Sequence, residues 1–414
     1  MLVRSGAGAA AVGASVALRG AQVERTIEQI GALIIKDLDA AGAAELAAHP
    51  DVRGVAQDYE AQFIDPGFLA NANRRETPSG LVDAQGTDQS GAFFYPLQWN
   101  IHVISADDAW APTPGGAGAV VCVLDTGVDP GHQDLVGKVD LSISTSFVAT
   151  EPFIEDLNAH GTYVSSIVSS NGIGIASVAP DATLCAVKVL AATGSGSFAD
   201  VISGIVHAAV VGADVINMSL GAYVDRNAPG IDVLIQALTD AVEIARELGS
   251  QVVAAAGNNG ANLDEDGDMA ILPGEIRGVL SVAATAPFNQ QNFDMLASYS
   301  NYGSRHGGVD IAAPGGDLLP GGDLFDLVLG ACSRFVCGAD GFYLLGAGTS
   351  GASPHVAGAG AVVESVFPGD QGPRILDHCI LTRADKIINP NTGRPDRKYG
   401  AGRLNVLRAA TQCN

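Results

Sequence analysis

The chain has 414 residues, 47% of them hydrophobic and 16% charged, with a net charge of −23 and an isoelectric point of about 4.5. This length allows one large domain and one small one with a substantial core. The acidic charge excludes nucleic acid as a partner, because phosphate binding needs a basic surface. No apolar run reaches the roughly 20 residues that cross a bilayer, so no membrane span is expected.

Residues 1–64 are predicted to form a small α/β unit. Arg4 and the apolar stretch 7–18 make residues 1–18 a candidate signal segment, although the same stretch also suits the start of a helix. The residue pattern then predicts a helix over 21–30, a strand over 32–38, a helix over 40–49 and a strand over 52–57. Residues 65–94 are predicted to be a linker, because 65–90 are rich in Gly, Pro, Asn, Asp and Ser.

Residues 95–414 are predicted to form a doubly wound, mostly parallel α/β sheet flanked by helices. Continuous apolar runs predict buried parallel strands over 119–124, 184–190, 214–220, 251–256, 279–284 and 309–312. Helices are predicted between them, over 199–211 and 231–248. In such sheets the working residues lie just past the carboxyl ends of the strands.

Six cysteines are few for this length. Cys122 and Cys185 lie in apolar runs and are predicted to be buried free thiols. For the other four, disulfides are favoured over a metal site because no further ligand shares their spacing. Whether the pairs are Cys332–Cys337 and Cys379–Cys413 stays open. Disulfides would indicate an oxidising compartment.

Ser350 lies at the centre of the segment 346–358, where a Gly/Thr turn leads into a small-residue helix. Pro354 is expected within the first turn of that helix, where a missing N–H costs nothing. Ser350 is therefore predicted at a helix N-terminus, whose unpaired N–H groups can stabilise an oxyanion. A serine nucleophile also needs a base and a group that orients the base.

Three polar residues lie at glycine-containing turns upstream. Asp125 ends an apolar strand, His160 precedes a small-residue helix, and Asn258 follows another strand. Taken singly, each has an ordinary structural interpretation: a turn-capping aspartate, a structural histidine and a turn asparagine. Together with Ser350 they supply every group that acyl transfer by serine requires. Their chain order, Asp, His, Ser, is a known one for such a triad.

From about residue 95 to 410, the chain resembles the subtilisin-like serine proteases. The similarity runs through Val-Leu-Asp125-Thr-Gly, His160-Gly-Thr, Asn217-Met-Ser-Leu-Gly221, Gly-Asn258-Asn-Gly and Gly-Thr-Ser350-Gly-Ala-Ser-Pro. It implies that Asp125 orients His160, that His160 is the general base and acid, that Ser350 is the nucleophile and that Asn258 donates to the oxyanion. It also implies a set of residues that binds the substrate: Gly194, Ser195, Gly196, Ser219, Leu220, Gly221, Ala256 and Gly257. Residues 19–63 resemble the inhibitory propeptide of the family, although a full first strand is not recognised there.

The chain departs from the family pattern in three places. Tyr163 stands where the family usually has His, and Gly351 where it has Met, so altered packing with retained chemistry is expected. Asp134 matches a calcium-ligand position, but the loop after His160 is about two residues shorter than the calcium-binding loop of some members. No cofactor is expected to be required, and structural calcium has no clear site. The acidic stretch 264–268 fits an EF-hand poorly and is predicted to be an exposed loop.

The expected function is a secreted serine endopeptidase that acts as a monomer on polypeptides and is inhibited by its own propeptide. Two alternatives stay open: a peptide-binding module that keeps the groove without the chemistry, and a peptide ligase or cyclase that passes the acyl group to an amine.

Overall fold

The computed structural model describes residues 2–5, 12, 13, 16, 20–65, 73–78, 80, 81, 86–303, 308–338, 342–369 and 372–413. A small N-terminal unit packs on a large C-terminal unit. The described part of the small unit contains an antiparallel sheet in the order β2-β3-β1-β4 and the helix that follows β3. Its elements are β1 (Leu2–Ser5), β2 (Gln22–Ile27), β3 (Ala32–Lys36), α1 (Ala40–Ala47) and β4 (Val52–Ala56).

The helix predicted over 21–30 is wrong, since β2 and a short 3-10 turn (Glu28–Ile30) occupy this stretch. Antiparallel pairing of β2 with β3 across the tight turn at Gly31 overrides the local helical pattern. The first strand that the sequence did not reveal is β1, which lies between β3 and β4. The strand and helix predicted over 32–38 and 40–49 are confirmed as β3 and α1.

The candidate signal segment contributes to this folded unit. β1 lies within it, and Val12 and Val16 are buried against Leu33 and Leu46. The rest of residues 6–19 lies outside the described part of the chain.

The predicted linker makes specific contacts with the large unit. Its strand β6 (Asn73–Glu76) pairs antiparallel with the strand that precedes Ser350. Gln89 is buried, donates to the Ser170 carbonyl and accepts from the Ser177 N–H. Residues 66–72, 79 and 82–85 lie outside the described residues.

The large unit is built on one twisted sheet in the order β16-β15-β13-β11-β7-β9-β8, with β17 also paired to β15. All pairs are parallel except β15 with β16, so the predicted doubly wound fold is confirmed. The strands are β7 (Val120–Asp125), β8 (Thr145–Ser146), β9 (Thr183–Lys188), β11 (Val215–Met218), β13 (Gln251–Ala255), β15 (Val279–Phe288), β16 (Gln291–Leu296) and β17 (Ile311–Pro314).

Both faces of the sheet are covered. Alternate side chains such as Val121 and Val253 pack in the cluster that includes the Ser350 helix. On the other face, Cys122 and Val252 pack with the helices α5 (Phe198–Val210) and α6 (Ile231–Glu247). This double burial explains the continuous apolar runs. The helices are α2 (Trp99–Val103), α3 (Ala106–Trp110), α4 (His160–Val168), α5 (Phe198–Val210), α6 (Ile231–Glu247), α7 (Arg334–Cys337), α8 (Thr349–Val366), α9 (Pro373–Arg383) and α10 (Val406–Thr411).

Smaller sheets lie at the edges of the large unit. One pairs β10 (Ser195–Ser197) with β5 (Glu60–Gln62), which belongs to residues 60–65, called the N-terminal segment. Another pairs β12 (Ala222–Asp225) antiparallel with β14 (Met269–Leu272). β18 (Val328–Ala331) and β19 (Phe342–Gly346) form a third sheet with β6. Among the described residues, no helix is long and apolar enough to cross a membrane.

The prediction of free thiols at Cys122 and Cys185 is wrong. The two residues face each other in register on the neighbouring strands β7 and β9, with Cα atoms 4.3 Å apart, and form a disulfide. The open pairing question is answered by Cys332–Cys337 and Cys379–Cys413. The pairing depends on two strands meeting in this register although the two cysteines lie 63 residues apart in the sequence.

Candidate active site

Asp125 and His160 meet at the carboxyl edge of the sheet. Asp125 is the last residue of β7 and His160 is the first residue of α4. His160 Nδ1–H donates to Asp125 Oδ1 at 2.9 Å, and Oδ2 lies at 3.0 Å. Each side chain is only 1% exposed. A buried carboxylate on Nδ1 fixes the tautomer that leaves Nε2 as the basic nitrogen.

Ser350 lies at a helix N-terminus, as predicted. It is the second residue of α8, which begins at Thr349, so its N–H has no partner within the helix. Ser350 Oγ donates to the Ser219 carbonyl at 2.9 Å.

The prediction that Pro354 lies in the first helical turn is wrong, because Pro354 is the sixth residue of α8. An amide at that position would donate to the Ser350 carbonyl four residues earlier. Ser219 Oγ donates to this carbonyl instead, at 2.9 Å. The proline is therefore tolerated because the side chain of Ser219, just after β11, replaces the missing donor.

Asn258 follows β13 and is anchored to the start of the serine helix. Its Oδ1 accepts from Thr349 N at 2.9 Å and from Thr349 Oγ1 at 2.7 Å. Because a backbone N–H can only donate, these contacts fix the amide so that its NH₂ group is the one that can donate elsewhere.

A cavity of about 380 Å³ brings the predicted residues together: His160, Asn258 and Ser350 line it side by side. Tyr299, Asp317, Leu327 and Ala347 line its other walls. A second cavity of about 240 Å³ shares Asn258 and Ser350 and reaches Gly221 and Gly257. The last residues of the N-terminal segment, 64 and 65, line both cavities.

The predicted substrate-binding residues divide into two groups. Those that contact the N-terminal segment or line the cavities are Gly194, Ser195, Gly196, Gly221 and Gly257. The other three do not line the cavities: Ser219 contacts Ser350, and Leu220 and Ala256 are buried in hydrophobic clusters. Gly194 has φ +77°, and an added Cβ would lie 3.1 Å from Ile64 Cβ, so glycine permits the close approach of the segment.

The two departures at Tyr163 and Gly351 compensate each other. Tyr163 is fully buried, and its Oη donates to the Val328 carbonyl at 3.2 Å. A Cβ added at Gly351 would lie 3.2 Å from this Oη, and one added at Gly330 would lie 2.3 Å from the Tyr163 ring. The phenol thus occupies the volume that a larger residue at 351 would need, beside Ser350.

Another histidine of the serine segment has a fixed protonation state. His355 is buried, with Nδ1–H donating to the Gly351 carbonyl at 2.7 Å and Nε2 accepting from Asn100 Nδ2 at 2.9 Å. Burial lowers the pKa of its imidazole to about 4. His355 is therefore neutral near neutral pH and supports the helix.

Asp134 is held by hydrogen-bond donors. Its Oδ1 accepts from Ile173 N at 2.7 Å, and its Oδ2 accepts from Gly174 N at 3.0 Å and from Tyr343 Oη at 2.6 Å. Ile175 N donates to Oδ2 at 3.2 Å. The shortened loop therefore turns N–H groups toward the carboxylate, whereas calcium is bound by six to eight oxygens. These residues do not fit a calcium ion.

The groups around Thr126 were not predicted from the sequence. Thr126 N donates to Asp125 Oδ1 at 2.7 Å, and its hydroxyl donates to buried Asp156 at 2.8 Å. Lys188, fully buried, donates to the Thr126 carbonyl and forms an ion pair with Glu151 at 2.9 Å. An acidic residue four positions before the histidine was the available signal, but it has no meaning until the strand and helix meet.

The sequence profile of the subtilase family (Peptidase_S8) matches residues 116–402. The chain is 35% identical over 355 residues to a thermophilic serine proteinase of Bacillus sp. (strain AK1), covering 84% of this chain and 73% of that protein. It is 34% identical over 320 residues to thermitase of Thermoactinomyces vulgaris, covering 77% of this chain and 97% of thermitase.

Among solved structures, the fold is similar to that of the epidermin leader peptide processing serine protease (EpiP) of Staphylococcus aureus. The TM-score is 0.76 at 23% identity, with 100% of this chain and 98% of that chain covered. The similarity in fold thus includes the small N-terminal unit.

The chain belongs to the subtilase family of serine proteases. It is a serine-type endopeptidase, so the alternative of a binding module without chemistry is set aside.

Proposed function

We propose that the protein hydrolyses peptide bonds through an acyl-enzyme formed on Ser350. His160 takes the hydroxyl proton, and later gives it to the leaving amine, while Asp125 holds the imidazole. The Asn258 amide and the Ser350 N–H donate to the oxyanion of the tetrahedral intermediate. Water then attacks the acyl-enzyme and releases the acid. The observation that carries this proposal is the buried Asp125–His160 hydrogen bond beside a cavity that Ser350 and Asn258 share.

One rearrangement precedes the attack. The Ser350 hydroxyl donates to the Ser219 carbonyl, and it has to donate to His160 Nε2 when a substrate is bound. A rotation of this small side chain accomplishes the change. Catalytic hydrogen bonds of this kind commonly form fully only in the substrate complex.

The test compares Ser350→Ala with Ser142→Ala, which alters an exposed turn. We expect Ser350→Ala to lower casein hydrolysis on the order of 10⁶-fold and to abolish labelling by a fluorophosphonate, while Ser142→Ala keeps both. Product masses decide between water and an amine as acceptor, because hydrolysis adds one water per cut and ligation joins fragments. Undiminished hydrolysis by Ser350→Ala would contradict the proposal.

We further propose that the substrate backbone pairs with the enzyme as an added strand, in the manner of the N-terminal segment. β5 pairs antiparallel with β10, and the Gly194 carbonyl accepts from the N–H groups of Phe63 and Ile64 at 3.1 and 3.2 Å. On the opposite side, Gly221 N donates to the Phe63 carbonyl at 3.2 Å.

The N-terminal segment reaches the cavity of Ser350 with Ile64 and Asp65. Phe63 lies opposite Gly221. With increasing residue number, the N-terminal segment approaches Ser350, whereas residues 219–221 lead away from Ser350. The two stretches are therefore antiparallel, and Asp65 corresponds to Ser219, whose carbonyl accepts from Ser350 Oγ. A substrate bound in this register would present its scissile carbonyl at the same point.

We propose that the N-terminal unit inhibits the enzyme in the intact chain, which makes the chain a zymogen. Phe63 and Ile64 are each 5% exposed, and the Phe63 ring contacts Phe198 edge-on at 5.3 Å. An ion pair from Arg25 to Asp200 at 3.0 Å adds to the docking. Maturation is proposed within the linker, residues 65–94, because a cut there separates the N-terminal unit from the catalytic unit.

The inhibition test weakens the segment in the full chain. Phe63→Ala with Ile64→Ala should raise the rate of fluorophosphonate labelling of the intact protein, because the cavity is vacated more often. Val23→Ala, a change at a 37% exposed position of the same unit, is the matched control and should label like the unaltered chain. Equal labelling rates in all three proteins would overturn the inhibition.

Secretion is proposed from the three disulfides, since disulfides persist in oxidising compartments. A monomer is proposed because the described part of one chain supplies every catalytic group. We propose that Asp134 binds no calcium and that no cofactor is needed, because N–H and O–H donors occupy both of its oxygens.

A further inference from the structure

Asp156 is a fully buried carboxylate that accepts five hydrogen bonds. Its Oδ1 accepts from Thr126 Oγ1 at 2.8 Å, from Asn158 N at 3.1 Å and from Ala159 N at 2.9 Å. Its Oδ2 accepts from the N–H and the hydroxyl of Thr162 at 2.8 and 2.6 Å.

All five contacts require the carboxylate to be the acceptor. The Thr126 hydroxyl itself accepts from Gly161 N at 3.0 Å, and the Thr162 hydroxyl accepts from Asp129 N at 3.0 Å. Each hydroxyl proton is thereby directed to Asp156. Burial raises the pKa of Asp156, as does nearby Asp125, whereas the donors from Thr162 and Thr126 favour the ionised form.

These bonds connect the two members of the catalytic pair. Thr126 directly follows Asp125 on the strand side, and its N–H also donates to the Asp125 carboxylate. Ala159, Gly161 and Thr162 surround His160 on the helix side. Asp156, with Thr126, therefore satisfies the free N–H groups at the start of α4 and ties them to the end of β7.

We propose that Asp156 is a positioning residue for catalysis: its carboxylate, through the Thr126 hydroxyl, clamps the start of the histidine helix to the end of the aspartate strand and so holds the His160 imidazole on Asp125. Asp156 contacts the reacting groups only through this clamp. The inference rests on the proposed function, because it assigns a task within the Ser350 mechanism.

The charged groups around the clamp are distributed over several elements. Asp125 ends β7 and His160 begins α4. Lys188, at the end of β9, reaches the Thr126 carbonyl and pairs with Glu151. Asp129, which pairs with Arg334 at 3.3 Å, donates its N–H to Thr162. Asp125 is negatively charged and Lys188 is positively charged. Removing the negative charge of Asp156 therefore changes the electrostatic potential at His160.

The first test is Asp156→Asn, which keeps the size of the side chain but places an NH₂ group against some of the donors. We expect kcat per fluorophosphonate-titrated site to fall about 10²-fold, the usual cost of misplacing a catalytic group by about 1 Å. KM should change little, because the groove residues belong to other elements. The acidic limb of the kcat/KM profile should move to lower pH, since a nearby carboxylate favours the protonated imidazole.

Thr126 provides an independent test if Asp156→Asn does not fold. Thr126→Val removes the shared hydroxyl at nearly constant volume and should lower kcat as well, whereas Thr126→Ser restores the hydroxyl and should recover most of the loss. Asp140→Asn is the matched control: this aspartate accepts from Ser142 in an exposed turn, and its loss should alter neither kcat nor the pH profile.

The outcomes separate this inference from the proposed function. An inactive unaltered protease after maturation would refute the proposed function. An active one, with wild-type kcat and pH profile per titrated site in either Asp156→Asn or Thr126→Val, would refute the positioning role alone. A loss of titratable sites with unchanged kcat per site would also refute it, because that result marks a purely structural residue.

Discussion

The active-site edge of the sheet and the Asp134 loop each contain a buried carboxylate that accepts several hydrogen bonds, but the two carboxylates connect different parts of the molecule. Asp156 and Asp134 are both fully buried, and each accepts hydrogen bonds on both carboxylate oxygens. The partners of Asp156 flank Asp125 and His160, while those of Asp134 join a loop to Tyr343 and line neither cavity. What a buried carboxylate contributes therefore depends on the elements it connects. We expect changes at the first site to act on turnover and changes at the second to act on stability.

The largest effect outside the triad is expected at Asn258. Asn258→Ala removes the proposed donor to the oxyanion and should lower kcat about 10²–10³-fold. Steady-state hydrolysis of a peptide substrate, per titrated site, measures the loss. Asn391→Ala, at an exposed turn position that lines neither cavity, is the control. A rise in KM with unchanged kcat would show that Asn258 acts in substrate binding. It would then not support the expected difference between an active-site effect on turnover and an Asp134 effect on stability.

Asp134→Asn should produce the opposite pattern. An amide in place of the carboxylate leaves buried N–H or O–H groups without an acceptor, which costs about 3 kcal/mol of unfolding free energy. Urea unfolding in the Ser350→Ala background measures this cost without self-digestion. In the active protein, kcat per titrated site should stay unchanged. A large fall in kcat at full stability would show that the two regions are not separate.

His355 should make stability depend on pH. The unfolded imidazole, with its ordinary pKa of 6.5, takes up a proton between pH 6.5 and 4, whereas the folded one stays neutral until about 4. The unfolded state therefore binds more protons in this window, so the stability contributed by neutral His355 is lost as the pH falls, by at most about 1.4 kcal/mol per pH unit.

Asp310 acts in the other direction, since burial raises its pKa from 3.8 to about 6 and its contribution is lost as the pH rises through that value. The measurement is therefore the difference in unfolding free energy between the Ser350→Ala protein and the same protein carrying His355→Gln, followed from pH 4 to 7. As the pH rises, the protein with His355 should become more stable relative to the His355→Gln protein. A difference independent of pH would contradict the neutral, buried imidazole.

The smallest expected effect is that of metal removal. Because Asp134 is saturated by N–H and O–H donors, excess EDTA should leave the melting temperature and kcat of the matured protein unchanged. Thermal unfolding with EDTA, and with added calcium, is the measurement. A large fall in the melting temperature that calcium reverses would show that the donors do not replace the ion.

The sequence predicted the parts of the site that follow from a single strand or helix. Asp125 and Asn258 were located because the first ends a continuous apolar run and the second follows one, and Ser350 because a glycine turn precedes a small-residue helix. The sheet was predictable for the same reason, since its strands are buried on both faces.

The features that the sequence did not reveal depend on contacts between distant segments. Cys122 pairs with Cys185 because two strands meet in one register, and Pro354 is tolerated in its helix because Ser219 reaches the Ser350 carbonyl. The segment 22–27 is extended because β3 pairs with it. Asp156 belongs to the same class, since its role exists only once Thr126 lies beside the histidine helix.

The most direct test of the account asks whether His160 and Ser350 work as one unit. The measurement is kcat for peptide hydrolysis by the matured forms of His160→Ala, Ser350→Ala and the double variant, each matured by an added protease that is then removed. If the residues form one unit, all three proteins should show the same residual rate, on the order of 10⁶-fold below the unaltered enzyme. Losses that multiply in the double variant, or substantial activity in either single variant, would contradict the account.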